Sequence, residues 1–128
     1  GRSCMEKNME GELAITKTIT FSHVRGTITA RAFRLDKGAV ILVTGGTRTH
    51  VGAFSRAVPG QETMTIQFPG HRDGVISGHW AEEISRLLKE PVTVECGIHF
   101  DDLSGDEIQI ILGLCGEMLE SLCRCWNP

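Results

Sequence analysis

The sequence predicts an α+β fold in a single domain, with a mostly antiparallel sheet and two helices packed on one face. Five strand-like segments lie before Phe68, two segments of helical periodicity follow, and a sixth strand separates the helices. The 128 residues fit one domain. The predicted order is therefore βββββαβα, with residues 1–11 expected to form a mobile lead-in and residues 12–128 the domain.

The five strands before Phe68 are separated by short turns. The first, "LAITKTITF", alternates so that Leu13, Ile15 and Ile19 share one face. The others are "VRGTITARAFRL", "AVILVTG", "VGAFSRAV" and "TMTIQF", and "DKG" and "PGQE" are turn sequences. Short turns favour pairing between successive strands, which predicts an antiparallel meander.

Two helices and one strand complete the chain. Apolar residues at helical spacing predict a helix over 73–89, with Asp73 as its cap, and "PVTVECGI" then alternates as a strand. The final helix is predicted from about Ser104 to Cys123. Its start carries the clearest local signal, because Ser104 and Glu107 match a capping box.

Charge and cysteine content limit the functional classes. The net charge of −3 provides no basic field for nucleic acid or anionic lipid, and no apolar run approaches the roughly 20 residues that span a bilayer. The five cysteines are odd in number and include no CxxC pair, which favours reduced thiols in a cytoplasmic protein. Cys96 and Cys115 are expected to pack as small apolar residues. Cys123 and Cys125 are interpreted as tail thiols, with oxidation or metal contact as the alternative.

The first candidate site segment is "VTGGTRTHVG", residues 43–52. Paired glycines let backbone amides approach a ligand, and the polar side chains add donors suited to phosphate or ring edges. The alternative is a Gly-rich hairpin with an exposed tip. The candidate residues here are Gly45, Gly46, Thr47, Arg48, His50 and Gly52.

The second segment, "FPGHRDG", ends a strand and opens a helix. Helix N-terminal amides favour anions, and His71 and Arg72 would add donors beside Gly70. In the alternative interpretation, Asp73 only caps the helix and His71 is solvated.

The third segment, "GIHFDD", places His99 and Asp101 two residues apart. In extended geometry they point to the same side, so the carboxylate can hold the imidazole in one tautomer. The alternative is that Asp101 and Asp102 are only turn residues before the Ser104 cap. His23 lacks such a setting and is interpreted as an ordinary surface residue.

These three segments, in this order, resemble the bacterial prenylated-flavin chaperone-like family, typified by a small accessory protein of gallate decarboxylase systems. The similarity extends over about Gly11 to Leu122, and the "GIHFDD" run before a helix is its most specific part. Residues that match the family's motif positions are Gly45, Gly46, His50, Gly52, Gly70, His71, His99 and Asp101. Val51 departs from the isoleucine that is common there. Arg48 and Arg72 are added on chemical grounds, as phosphate partners.

The resemblance implies a fold like that of proteasome assembly chaperones and a non-catalytic role. Such proteins would bind prenylated FMN and help to supply or mature it for a prenylated-FMN-dependent decarboxylase. Ring stacking would fall to Phe54, Phe68, Phe100 or Trp80, although Phe54 and Phe68 are expected in the core. A homodimer is also expected, because the second face of the sheet needs a cover.

Two other functions remain open. A small metal-dependent enzyme could use His50, His71 and His99, although no spacing specific to a metal motif occurs, and we assign no metal ligand. A ligand-free interaction subunit would use the same loops as a protein-binding rim.

Overall fold

The predicted order of elements is confirmed in the computed structural model, which describes residues 11–68 and 73–127. The strands are β1 (Glu12–Thr20), β2 (Arg25–Arg34), β3 (Ala39–Gly46), β4 (Ala53–Ala57), β5 (Met64–Gln67) and β6 (Val92–His99). The helices are α1 (Gly74–Leu88) and α2 (Gly105–Trp126).

The strands form one six-stranded sheet in the order β1-β2-β3-β6-β4-β5. The meander prediction holds from β1 to β3 and for β4 with β5, but it is wrong for β3 with β4, because β6 inserts between them. β6 runs parallel to β3 and antiparallel to β4, while all other pairs are antiparallel. The return through α1 carries the chain back to a central position, as parallel pairing requires a crossover.

One face of the sheet is covered by both helices and holds the core. Alternation along the strands directs Ile28, Ile41, Val43 and Val94 to this face, where each is fully buried. Trp80 of α1 belongs to the same core and is only 1% exposed. Leu13, Ile15 and Ile19 share one face as predicted, and the register places that face on the helix side, since they pair with Ala32, Ala30 and Gly26.

The opposite face, which we call the open face, has no covering element among residues 11–68 and 73–127. Leu42, Glu95, Phe54 and Ile66 lie in one cross-strand row on it. Ile66 is 50% exposed. The expectation that Phe54 and Phe68 lie in the core is wrong, because Phe54 lies half-buried on the open face and Phe68 is exposed.

The cysteines follow the expectation in part. Cys96 and Cys115 are free and buried, as predicted for small apolar residues, and Cys123 is also free. Cys125 is disulfide-bonded, so the expectation of reduced thiols is wrong for that residue. Neither helix of the described chain is long and apolar enough to cross a membrane.

Candidate functional site

The candidate site lies where the parallel strands β3 and β6 end side by side. Gly46 and His99 are the last residues of these strands and pair with each other. The Thr47 N–H donates to the His99 carbonyl at 2.8 Å, which joins the two outgoing loops. Ligands of sheets with parallel strands commonly bind at this carboxyl end, because loops diverge there.

Gly46 is required where the first loop leaves the sheet. Its φ of +89° lies in the left-handed region, which favours glycine. A Cβ at this position would also collide with the His99 carbonyl. The close approach of the two strand ends therefore requires glycine at position 46.

The loop from Thr47 to Gly52 is not a hairpin, because β6 separates β3 from β4. It crosses over the end of β6, and the Gly52 N–H donates to the Cys96 carbonyl at 2.9 Å. This crossing brings the His50 ring against the His99 ring, with centroids 6.3 Å apart and planes at 81°. The histidines of the first and third segments thus converge within one chain.

Asp73 is the site residue whose role the sequence did not reveal. It occupies the N-cap position of α1, but its side chain accepts no capping hydrogen bond. Instead, Oδ1 accepts from the Ile98 N–H at 3.0 Å, and Oδ2 lies 3.4 Å from His50 Nε2. The Cys96 thiol also contacts Oδ1, at 3.8 Å. The carboxylate therefore ties α1 to the end of β6 and to the first loop.

Gly52 makes room for this carboxylate. A Cβ at Gly52 would collide with Asp73 Oδ2 and would lie 3.1 Å from the Cys96 carbonyl. Asp73 is 6% exposed, so its contact with His50 lies largely out of water. No short sequence pattern links Gly52 to Asp73, because the contact joins separate segments.

The Asp73 carboxylate also affects the thiols behind it. Burial, followed by the nearby charge of Asp73, raises the pKa of the Cys96 thiol far above its usual range. The same causes, in the same order, raise the pKa of Cys115 to about 12. Both thiols therefore stay protonated at neutral pH and are poor nucleophiles.

His99 is held between a cation and an anion. Its Nε2 lies 3.0 Å from Arg48 Nη2 and 2.9 Å from Asp101 Oδ1. One ring nitrogen cannot accept from the guanidinium and donate to the carboxylate at the same time. The two contacts therefore compete, and the protonation of Nε2 decides which one is a hydrogen bond.

The predicted pairing of His99 with Asp101 is confirmed by this geometry, whereas Asp102 is a turn residue with φ of 54°. His23 is more than the ordinary surface residue that the sequence suggests, because its Nε2 lies 3.2 Å from the Asp101 carbonyl. His23 Nδ1 also faces Glu107 at 3.9 Å. His23, in the β1–β2 turn, thus contacts the segment that follows β6.

Most of the candidate residues gather at this end of the sheet. Those brought together are Gly46, Thr47, Arg48, His50, Gly52, His99 and Asp101. Gly45 lies one residue inside β3, where it packs against Ile28 of β2. The predictions for Gly70, His71 and Arg72 fall outside the described residues. Among the residues that are described, no group of three or more His, Cys, Asp or Glu is placed to hold a metal.

Of the aromatic residues considered for ring stacking, Trp80 is excluded by its burial in the core. Phe100 is 7% exposed and packs edge-on against Phe21, with centroids 6.4 Å apart. Phe68 is exposed, and its N–H donates to the Gly52 carbonyl at 2.9 Å. Phe68 is therefore an accessible aromatic residue that contacts the end of the first loop.

Comparison with known proteins gives a consistent result. A family model described as the prenylated flavin chaperone LpdD-like domain matches residues 22–127. Protein LpdD of Lactiplantibacillus plantarum is 32% identical over 74 residues, which cover 54% of this chain and 54% of that protein. The chain thus spans about half the length of this curated relative.

A solved structure also matches the fold. A chaperone complex for yeast 20S proteasome assembly aligns with a TM-score of 0.51 at 17% identity, covering 88% of this chain and 95% of that chain. At this identity the similarity concerns the fold alone.

Proposed function

Because the chain belongs to the prenylated flavin chaperone LpdD-like family, we propose that it binds prenylated FMN at the end of β3 and β6. In this proposal the protein is a non-catalytic cytoplasmic accessory subunit. It supplies or matures the cofactor for a prenylated-FMN-dependent decarboxylase. The observation that carries the proposal is the convergence of Arg48, His50 and His99 beside glycine-lined backbone within one chain.

The donor set fits a flavin nucleotide. The exposed Arg48 guanidinium matches a phosphate, which it can bind through two parallel hydrogen bonds. The half-buried rings of His50 and His99 match the polar edge of a flavin ring. Amides near Gly46 and Gly52 can come close to the ligand because no side chain intervenes.

Competition at His99 provides a way to release Arg48. When Nε2 donates to Asp101, the contact with Arg48 is no longer a hydrogen bond, so the guanidinium can turn to an anionic ligand. Arg48 would then exchange a partner within the protein for the phosphate. Binding would not leave His99 unsatisfied, since Asp101 remains at hydrogen-bonding distance.

The test is to purify the protein after co-expression with a flavin prenyltransferase, and to record its absorbance and intact mass under native conditions. A stoichiometric mass of prenylated FMN that survives desalting is the expected result. A colourless protein with no bound flavin would contradict the proposal. Transfer is then tested by mixing the loaded protein with the apo-decarboxylase and following activity.

Site variants locate the binding. Arg48→Ala and His99→Ala should each weaken flavin retention by about tenfold or more, since each removes a hydrogen bond to a charged or polar group. Their unfolding curves should match the wild type within about 0.5 kcal/mol, because both side chains are partly exposed. His79→Ala on α1 is the matched control. Equal retention by His99→Ala, Arg48→Ala and the control would count against this site.

The proposal includes a homodimer formed through the open face. Val40, Met64 and Ile66 expose 38%, 41% and 50% of their surface on this face. They share this face with Leu42 and Phe54, and exposed apolar side chains on an uncovered sheet face favour a protein interface there. Light scattering should report twice the chain mass of 14.0 kDa. Ile66→Glu should shift the mass to one chain, whereas Ile110→Glu on α2 should not; a monomeric wild type would remove this part of the proposal.

A further inference from the structure

A mostly apolar cavity of about 220 Å³ adjoins the candidate site, between the N-terminal half of α2 and the end of β6. Asp73 and His99 form its polar wall and are shared with the site. The remaining wall is apolar and is formed by Ile76, Ile98, Phe100, Leu103, Ile108, Ile111 and Leu112. The cavity therefore continues the polar site into an apolar compartment.

The size of this cavity restricts what it can hold. Pockets that enclose a whole drug-sized ligand are about 300 to 1,000 Å³, so 220 Å³ suits a fragment rather than an entire flavin. The apolar wall offers no partner for a phosphate or a ribityl chain, whose polar groups would lose their hydrogen bonds to water. A small branched hydrocarbon group matches both the volume and the chemistry.

We infer that this cavity takes the prenyl-derived carbons of the cofactor, so that Ile108, Ile111 and Leu112 make the protein prefer prenylated FMN over FMN. The inference rests on the proposed function and adds the residues that set its specificity. When the edge of the flavin ring lies at His99, the added carbons extend past the polar wall of the cavity, which is shared with the site, to its apolar wall. Ordinary FMN would leave the compartment empty and would gain nothing from it.

The first arm of the test uses no flavin. Prenol, a branched five-carbon alcohol, is titrated into protein with labelled isoleucine methyl groups and followed by NMR. Shifts are expected at Ile76, Ile98 and Ile111, and none at Ile41, which is fully buried in the sheet core. Shifts confined to other sites, or none at all, would overturn the inference whatever the flavin result.

The second arm compares a cavity-filling variant with a matched control. Ile108 is 40% exposed, so Ile108→Trp can close the cavity without repacking the core; Ile110→Trp, at a position 54% exposed on the same helix, is the control. Ile108→Phe serves as a smaller substitution if the tryptophan variant folds poorly. The cavity-filling variant should lose its prenol shifts, and the control should keep them.

The same variants are then measured with both flavins. Wild type should bind prenylated FMN at least about tenfold more tightly than FMN, because even a few added carbons give discrimination of this size. Ile108→Trp should remove that preference and leave FMN affinity unchanged. A preserved preference in Ile108→Trp would overturn the inference while the proposed function stands. Binding of neither flavin by wild type would overturn the proposed function, and with it the ligand assigned to the cavity.

Discussion

The two helices begin with residues of the same class but use them differently. α2 follows Ser104, whose side chain accepts from the Glu107 N–H, while the Glu107 carboxylate accepts from the Ser104 N–H. α1 follows Asp73, an equally good capping residue, whose side chain makes no capping bond and turns toward the sheet. The first helix thus gains no capping bond from Asp73, and Gln67 Oε1 accepts from its first N–H, that of Gly74, at 2.9 Å. The Asp73 carboxylate instead organises the candidate site.

This difference shows that a capping residue near a strand end has a choice of partners. For α1, the Ile98 N–H at the end of β6 and the His50 ring on the first loop both lie within reach of Asp73. A buried backbone N–H without a partner costs more than a solvated helix terminus, so the sheet contact is preferred. Four changes test this interpretation, in order of decreasing expected effect.

The largest effect is expected for Asp73→Ser, which gives α1 the residue that caps α2. A serine can cap the helix but is too short to reach the Ile98 N–H, so a charged hydrogen bond is lost and the free energy of unfolding should fall by about 3 kcal/mol. The reciprocal change Ser104→Asp should alter it by less than about 0.5 kcal/mol, since both residues cap well. Urea denaturation measures both. A neutral Asp73→Ser would mean that Asp73 acts only as a cap.

Gly52→Ala should reduce stability by about 2 kcal/mol, because the added methyl group collides with the Asp73 carboxylate. Gly113→Ala is the control. It lies on α2 with no atom within 4 Å of its added Cβ, and it should be stabilising by about 0.5 to 1 kcal/mol. Thermal unfolding of the two variants should therefore shift in opposite directions. A shift of Gly52→Ala toward higher temperature would show that Asp73 is not confined by this glycine.

Alkaline pH should destabilise the protein through the buried thiols. The pKa of Cys115 is raised from 9.0 to about 12, so its stabilising contribution is complete below pH 9 and is lost as pH rises from 9 toward 12. In that range, each such thiol lowers the free energy of unfolding by about 1.4 kcal/mol per pH unit. The free energy of unfolding is therefore measured at pH 8 and at pH 10. Its decrease between these two pH values should be about 1.4 kcal/mol smaller in Cys115→Ala than in wild type. Parallel pH dependences would contradict this expectation.

The smallest effect is expected at the cap of α2. Ser104→Ala removes the bond to the Glu107 N–H and should cost about 1 kcal/mol, and it should leave flavin retention unchanged. Asp73→Ser should lower both stability and retention. If Ser104→Ala weakened retention as strongly as Asp73→Ser, the contrast between the two helix starts would have no functional meaning.

The features predicted correctly from the sequence depend on neighbouring residues. The capping box needs only the interval from Ser104 to Glu107, and the strand faces need only the alternation of apolar residues. The pairing of His99 with Asp101 is equally local, since two residues of extended chain place both side chains on one side. Glycine pairs and histidines at strand ends also identified most of the residues that gather at the site.

The features that were missed depend on residues far apart in the chain. The short turn sequences gave no sign that β6 would enter between β3 and β4, because its pairing with Val43 and Ala53 is formed only after α1 has returned the chain. Apolar character alone predicts Phe54 in the core, yet the register places it on the open face. The role of Asp73 was hidden for the same reason, since its partners Ile98 and His50 are distant in sequence.

The sequence by itself therefore determined the α+β class, the order of the elements, the family and the residue types of the candidate site. Only the tertiary structure decided which strand end each loop meets, that Asp73 turns away from its helix, and that an apolar cavity adjoins His99. The physical reason is that periodicity and capping are properties of contiguous residues. Strand order and the partner of a buried carboxylate are instead selected by burial and hydrogen bonding between distant segments.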